Sequence, residues 1–313
     1  MLNIVLVENC NLKCPYCFES EYQGSNKIIT LDNFQTILKF LTKEKNKIFS
    51  LMGGEPLLHP NIKEILILSQ NFFNEYHTLG FLFTNGIYLE QYLEYIPEQM
   101  GLLINCNPID EIGEQNYTKL LSSIDACMNT PELRYKTNLG INLHLSRTNY
   151  NYIWNIVDKY NIKILRCSIT SPGRCYHEYY TNSDQYFQKM KSIFLDFVKQ
   201  ADNHNISLNQ DCGYIPPCFF QEEEFTLVKK VCGDNYFSYC HGYSADIFPD
   251  LTASFCFACD NSYNMLDFNN VEELYETLII EQQHAKAKSR SFDRCKNCTL
   301  QNNCGQGCLS FVK

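Results

Sequence analysis

The chain opens on an unbroken apolar run, Leu2 to Val7, of the kind that forms a parallel strand buried on both faces. Helical periodicity and short apolar runs then alternate. Thr30 is placed to cap a helix over 31–45, in which Phe34, Ile37, Leu38 and Leu41 recur on one face. Residues 48–52 read as a second strand. Pro60 opens a helix carrying Ile62, Ile65, Leu66 and Leu68, and residues 79–83 read as a third strand. The alternation continues with a helix over 89–96, a strand over 102–106 and a helix over 116–128. A strand over 139–145, a helix over 153–160 and a strand over 162–169 follow.

Six strand–helix units in this order predict an α/β fold with a parallel sheet and right-handed crossovers. Six are too few to close an eight-stranded barrel. A further helix over 184–201 places Phe187, Met190, Phe194 and Phe197 on one side. After it the periodicity gives way to cysteines, glycines, prolines and short strands, with one more helix over 271–285. The expected division is therefore 1–205 and 206–313. No repeat or low-complexity segment interrupts it.

Composition narrows the class. Apolar residues make up 45% and aromatics 14%, which excludes a disordered chain. Lys plus Arg number 26 against 35 Asp plus Glu, and the net charge of −9 argues against a nucleic-acid partner. The first residues lack a basic n-region, and no run approaches the ~20 apolar residues of a membrane span. A cytoplasmic, reducing location is expected, with no membrane partner. Of 17 cysteines, seven lie in 1–200 and ten in 201–313, and in such a location they are read as metal ligands before disulfides.

Three groups of chemistry-bearing residues fall at the C-terminal ends of predicted strands, where ligands bind in parallel α/β sheets. Cys10, Cys14 and Cys17 follow the first strand, Gly53-Gly54-Glu55-Pro56 ends the second, and Thr84-Asn85-Gly86 ends the third. Three thiols at this spacing can wrap one face of a [4Fe–4S] cube and leave one iron open to an exogenous molecule. By spacing alone they equally fit zinc or buried thiols. Two further features add weight to the cluster reading. Tyr16 stands immediately before the third cysteine, and the GGEP stretch follows at the end of the next strand. Together the two stretches resemble the radical S-adenosylmethionine (SAM) superfamily.

That resemblance implies an open, partial (β/α)6 barrel over 1–205. It also implies that the amino and carboxylate groups of SAM chelate the open iron. An electron from the reduced cube then cleaves the sulfonium bond, and the resulting 5′-deoxyadenosyl radical abstracts a hydrogen. Backbone groups of Gly53 and Gly54, with the carboxylate of Glu55, would hold the methionyl ammonium, and Tyr16 would lie near the adenine. Asn105, at the end of strand four, is the candidate for the ribose. Asn142 and His144 alternate in the same direction on strand five, and Arg166 on strand six is a candidate for the SAM carboxylate. Each has the alternative of an ordinary solvated or core-satisfied polar residue.

The tail resembles the SPASM module of peptide-modifying radical SAM enzymes, which holds auxiliary [4Fe–4S] clusters. Cys295, Cys298, Cys304 and Cys308 supply its CxxCx5CxxxC pattern, and Cys240 and Cys256 its preceding pair. The sequence departs from the pattern twice: Leu251 stands where the module has glycine, and no cysteine follows Cys308. Adding Cys212 and Cys218 gives eight ligands for one or two auxiliary clusters, with their partition open and Cys232 and Cys259 in reserve. Zinc is the alternative. Cys106, Cys127 and Cys167 read as buried small hydrophobes. Cys175, just past strand six, is a candidate hydrogen-atom donor to a substrate radical, with an inert thiol as its alternative.

The resemblance as a whole implies a peptide-modifying enzyme that installs a thioether or carbon–carbon link or inverts a centre. A flavodoxin- or ferredoxin-type protein would supply the electron. The chain begins at strand one, so leader binding is expected on another surface or a partner. The alternatives are a protein-modifying enzyme of the anaerobic sulfatase-maturating kind, and a non-catalytic iron–sulfur carrier or scaffold.

Overall fold

A computed structural model describes residues 1–17, 25–45, 47–170, 183–211, 213–237, 244–256, 262–288, 297–299 and 304. Cys175, Cys212, Cys240, Cys259, Cys295 and Cys308 lie outside the described residues. The strands are β1 (Leu2–Val7), β2 (Phe49–Gly53), β3 (Gly80–Thr84), β4 (Met100–Asn105), β5 (Thr137–Leu143), β6 (Ile164–Ile169), β7 (Ser207–Gln210), β8 (Ala245–Ile247), β9 (Thr252–Ser254) and β10 (Tyr263–Asn264). Between them run α1 (Leu31–Leu41), α2 (Ile62–Tyr76), α3 (Glu114–Asn129), α4 (Asn151–Tyr160), α5 (Ser183–Asn203) and α6 (Glu222–Cys232), and α7 (Val271–Lys288) follows β10. This is an α/β fold with a mostly parallel sheet, as the alternation predicts.

Residues pack into two compact units. The first comprises Met1–Cys14, Glu19–Asn138 and Tyr243–Gln282, and the second Pro15–Phe18, Leu139–Gly242 and Gln283–Lys313. In the first unit β8, β1, β2, β3 and β4 lie side by side, all parallel, and β9 and β10 extend the β8 edge antiparallel. In the second unit β5, β6 and β7 are parallel neighbours. The units cut across the 1–205 and 206–313 division. Strand β8 pairs with β1 in register Leu2↔Ala245 and Ile4↔Ile247, and β7 with its following helix α6 packs in the second unit. A three-residue strand whose partner lies more than 240 positions earlier carries no readable periodicity.

Local chemistry explains most element ends. Thr30 caps α1 as expected, its Oγ1 accepting the Asn33 N–H at 3.1 Å. The helix stops at Leu41, earlier than residue 45, where the Thr42 hydroxyl donates to the Lys39 carbonyl at 2.7 Å. Residues 89–96, expected helical, form a 3₁₀ segment, Leu89–Tyr95, that ends with Ile96 as its cap just before Pro97. Proline has no N–H to continue a helical ladder. A buried polar line crosses the first unit's sheet: the Ser50 hydroxyl donates to Asn3 Oδ1, and Asn3 Nδ2 donates to Asp246 Oδ1 at 2.7 Å. It links β2, β1 and β8 through their side chains as well as their backbones.

The core under this sheet is aromatic. Phe49 on β2 is fully buried, with the ring centroids of Phe73 at 5.0 Å, Phe72 at 5.8 Å and Phe34 at 6.3 Å. Truncating it leaves a cavity that three rings from two helices cannot close together. Phe49→Ala is expected to cost about 3–5 kcal/mol, read as a lower denaturant midpoint with far-ultraviolet dichroism preserved in water. A loss under 1 kcal/mol would show that the cluster repacks.

Candidate functional site

The ends of β1 to β4 gather the motif residues of the first unit. At the end of β2 the backbone of Gly53 and Gly54 lies directly against the residues that lead into the cysteine loop. Gly54 N–H donates to the Val7 carbonyl at 2.8 Å and Glu55 N–H to the Asn9 carbonyl at 3.0 Å. A Cβ on Gly54 would stand 2.2 Å from the Asn9 carbonyl oxygen, and one on Gly53, at φ +143°, would stand 2.3 Å from that of Val7. Neither backbone atom can move aside as a flexible side chain would. Two adjacent glycines are what this approach requires. Upstream, Glu8 is buried: its carboxylate accepts from the Ser25 hydroxyl and stands 3.8 Å from Lys27 Nζ.

Glu55 is fully buried and ties β2 to β3. Its Oε1 accepts from Thr84 Oγ1 at 2.8 Å and Leu57 N–H at 3.1 Å, and its Oε2 from Asn85 N–H at 2.8 Å. Burial nonetheless outweighs these bonds and pushes the carboxyl up to about 7. Sequence reasoning gave Glu55 to the methionyl ammonium. The structure gives both its oxygens partners within the chain, joining the GGEP and TNG stretches.

Two buried side-chain amides face the thiols of the loop. Asn85 Nδ2 stands 2.9 Å from Asn11 Oδ1 and 3.9 Å from Cys10 Sγ, while its Oδ1 accepts the Ile87 N–H at 3.1 Å. Asn107 Nδ2 stands 3.8 Å from Cys14 Sγ, and its Oδ1 accepts from Asn105 Nδ2 at 3.3 Å. Leu12 N–H also points at Cys10 Sγ, at 3.4 Å. Asn105, the residue singled out from sequence, therefore braces Asn107, and Asn107 makes the contact to sulfur.

In the second unit, Tyr16 is buried with its ring 5.1 Å from that of His144, tilted by 37°. His144 is held in turn through its backbone N–H, which donates to Tyr150 Oη at 2.9 Å. Asn142 lies two positions earlier on β5, half-buried, so it shares a face with His144. Arg166 pairs with Asp211, which also accepts from Ser168 Oγ at 3.0 Å. The guanidinium thus has a carboxylate partner of its own at the end of β7, a strand the sequence did not reveal.

Burial sorts the cysteines. Cys10, Cys14, Cys17, Cys256, Cys298 and Cys304 are half-buried and Cys218 is exposed, whereas Cys106, Cys127, Cys167 and Cys232 are buried. Burial pushes Cys127 up to about 11 and Cys232 to about 12, and holds Cys167 well above the ordinary thiol range. That fits the expected apolar role of Cys106, Cys127 and Cys167 and weighs against Cys232 as a reserve ligand, because ligation requires the thiolate. In the tail, Tyr214 Oη stands 3.8 Å from Cys304 Sγ. Leu251, in the glycine position of the resembled module, adopts φ +65° in the β8–β9 turn, where its N–H donates to the Phe248 carbonyl at 2.9 Å. The left-handed backbone that glycine adopts freely is kept here by a buried leucine, at roughly 1–2 kcal/mol.

Among the described residues, no three His, Cys, Asp or Glu side chains stand close enough to share one metal ion. A cube holds each thiolate through its own iron and accepts wider spacing. The donor set on the first unit fits that group: half-buried thiols, faced by N–H groups that suit a sulfur carrying negative charge.

Comparison with known proteins agrees. Residues 1–137 match the family described as a 4Fe-4S single cluster domain. The GTP 3',8-cyclase of Clostridium perfringens is 30% identical over 139 residues, 41% of this chain and 42% of that protein. Molybdenum cofactor biosynthesis protein 1 of Drosophila melanogaster is 30% identical over 123 residues, 38% of this chain and 21% of that protein. These matches span less than half the length of either relative. The crystal structure of Streptococcus suis SuiB bound to S-adenosylmethionine aligns over 98% of this chain and 72% of SuiB, with a TM-score of 0.66 at 15% identity. Fold and site thus define an α/β protein with a cysteine loop at the end of its first strand, within the residues that match a 4Fe-4S single cluster domain. The cysteine loop, the GGEP stretch and these matches together support the chain's resemblance to the radical SAM superfamily. No described helix is long and apolar enough to cross a membrane.

The Glu55 carboxyl yields a pH prediction for the metal-free protein. Its raised value means that folding favours the protonated form. This contribution is fully present below the ordinary 4.5 and is lost as pH rises through about 7. The difference corresponds to about 3 kcal/mol. Wild-type stability should therefore fall relative to Glu55→Gln between pH 4.5 and 8. Parallel stability curves for the two proteins would show that folding leaves the proton affinity of Glu55 unchanged.

Proposed function

We propose that the chain cleaves SAM reductively and uses the radical to modify a peptide. The observation that carries this reading is the cysteine loop, locked by backbone contact with Gly53 and Gly54 to the GGEP stretch at the strand ends. Cys10, Cys14 and Cys17 would hold the [4Fe–4S] cluster. When bound, cluster and SAM together supply a hydrogen-abstracting radical. The chain's own residues bind, orient and exclude water. Backbone groups of Gly53 and Gly54, with Glu55, would hold the methionyl ammonium, Tyr16 would lie near the adenine and Asn105 near the ribose, with Asn142 facing the interior beside it. Arg166 is retained for the SAM carboxylate on condition that Asp211 shares it.

A peptide substrate is supported by the likeness to SuiB, whose structure aligns over 98% of this chain. SuiB has also been solved with its precursor peptide SuiA, and that structure aligns at a TM-score of 0.61 and 16% identity over 98% of this chain. In this reading 1–205 carries SAM chemistry and 206–313 carries auxiliary [4Fe–4S] clusters on cysteines drawn from Cys212, Cys218, Cys240, Cys256, Cys295, Cys298, Cys304 and Cys308. A flavodoxin- or ferredoxin-type donor supplies the electron, in a cytoplasmic and anaerobic setting. The GTP cyclases match 41% of this chain and less than half of their own length, so the match by itself does not favour a nucleotide substrate.

The test is direct. Anaerobically reconstituted protein with dithionite and SAM should release 5′-deoxyadenosine, and changing Cys10, Cys14 and Cys17 together to Ala should abolish release. Wild type should hold about twelve irons with two auxiliary cubes, or about eight with one. The triple variant should lose about four of them. Continued 5′-deoxyadenosine release by the triple variant would overturn the assignment. Four irons with stoichiometric zinc would overturn the auxiliary clusters alone.

A further inference from the structure

We propose that Asn85 and Asn107 are positioning residues that set the reduction potential of the cluster, each through an N–H to sulfur bond to one ligand thiolate. The inference rests on the proposed cluster on Cys10 and Cys14. Two asparagines at the ends of adjacent strands, β3 and β4, bring their Nδ2 atoms to different cysteines: Asn85 to Cys10 at 3.9 Å and Asn107 to Cys14 at 3.8 Å. Both side chains are buried, with exposures of 8% and 3%, so water does not compete for the donors.

The amides are oriented by other groups. The Ile87 N–H binds Asn85 Oδ1, which turns the nitrogen end of that amide toward the loop, and Asn105 Nδ2 does the same for Asn107. Glu55 fixes the backbone at Asn85 by accepting its N–H. Asn85 Nδ2 carries two hydrogens, so it can serve Asn11 Oδ1 at 2.9 Å and Cys10 together.

The physical consequence has a definite sign. A one-electron reduction of the cube adds negative charge that is shared with its sulfurs. A donor aimed at a ligand sulfur therefore stabilises the reduced state more than the oxidised state. Hydrogen bonds to sulfur are among the factors that set cluster potentials. Both asparagines raise the potential, bringing the cluster closer to what a flavodoxin- or ferredoxin-type donor can reduce. Because they serve different sulfurs, their effects add.

The experiment is a redox titration of the reconstituted holoprotein followed by electron paramagnetic resonance, comparing wild type with Asn85→Leu and Asn107→Leu. Leucine keeps the volume and removes the donor without adding charge. Each variant should keep its iron and shift to lower potential, by up to a tenfold change in the reduction equilibrium, equivalent to 59 mV for one electron. In wild type labelled with ¹⁵N-asparagine, pulsed resonance of the reduced cluster should show ¹⁵N coupling. An unshifted potential in folded, iron-loaded variants would overturn the proposal. So would absence of ¹⁵N coupling in wild type, whether or not the variants fold. A wild-type protein that assembles no cluster on the loop overturns this inference and the proposed function together. One that cleaves SAM with an unmoved potential overturns only the inference.

Discussion

The contact on which the site depends is backbone against backbone, where Gly53 and Gly54 meet Val7 to Asn9. Strands β1 and β2 are ordinary parallel neighbours up to Met52, and there the register shifts. The pair would diverge beyond that point. Instead Gly54 and Glu55 continue to donate to Val7 and Asn9, so the first residues of the cysteine loop are held by a prolonged ladder. Any side chain at either glycine would meet a carbonyl oxygen at little over 2 Å. The loop's position is thereby fixed by main-chain geometry, which is stiffer than side-chain packing.

That constraint forces a second one. With β2 drawn against the loop, Glu55 enters a space with no water, and its carboxylate must be satisfied from within. Thr84, Asn85 and Leu57 do so, and the resulting tie fixes the start of the TNG turn beside Cys10. Burial still wins over three hydrogen bonds in setting the proton affinity of Glu55. The low dielectric responsible also strengthens each N–H aimed at a sulfur.

Much of this was legible in the sequence. The run Leu2–Val7, the cap at Thr30 and the order of strands through β6 follow from period and capping chemistry alone, and the three motif stretches fall at strand ends as parallel topology demands. Three features were not legible, each for a physical reason. Strands β7 and β8 are too short to show a period, and β8 finds its partner across most of the chain. Asn105, at the end of β4, is the ribose candidate in the sequence, whereas the amide that reaches sulfur belongs to Asn107, two residues further on, past the last ladder bond. Thr84 and Asn85, the partners that tie Glu55 to β3, lie about 30 residues away, and no local pattern announces a hydrogen bond at that distance. Leu251 shows the converse: the resemblance marks a glycine position, and the chain retains the left-handed backbone with a leucine whose side chain is buried.

The cysteines show how packing can separate roles that composition leaves merged. Seventeen thiols in one chain would compete for iron if all were equally available. Burial withdraws Cys127, Cys167 and Cys232 by making their thiolates costly, in Cys127 and Cys232 to about 11 and 12. Cys10 and Cys14 stay half-buried, open enough to meet iron and enclosed enough for Asn85 and Asn107 to face them without competition from water. A thiol in the core must give up its proton into an apolar medium before it can bind metal. One on the loop does so beside N–H groups already turned toward its sulfur. Selectivity among chemically identical ligands thus follows from placement, with Cys127 and Cys232 on buried helix faces and Cys167 within β6, while Cys10 and Cys14 sit on a loop past the end of a strand.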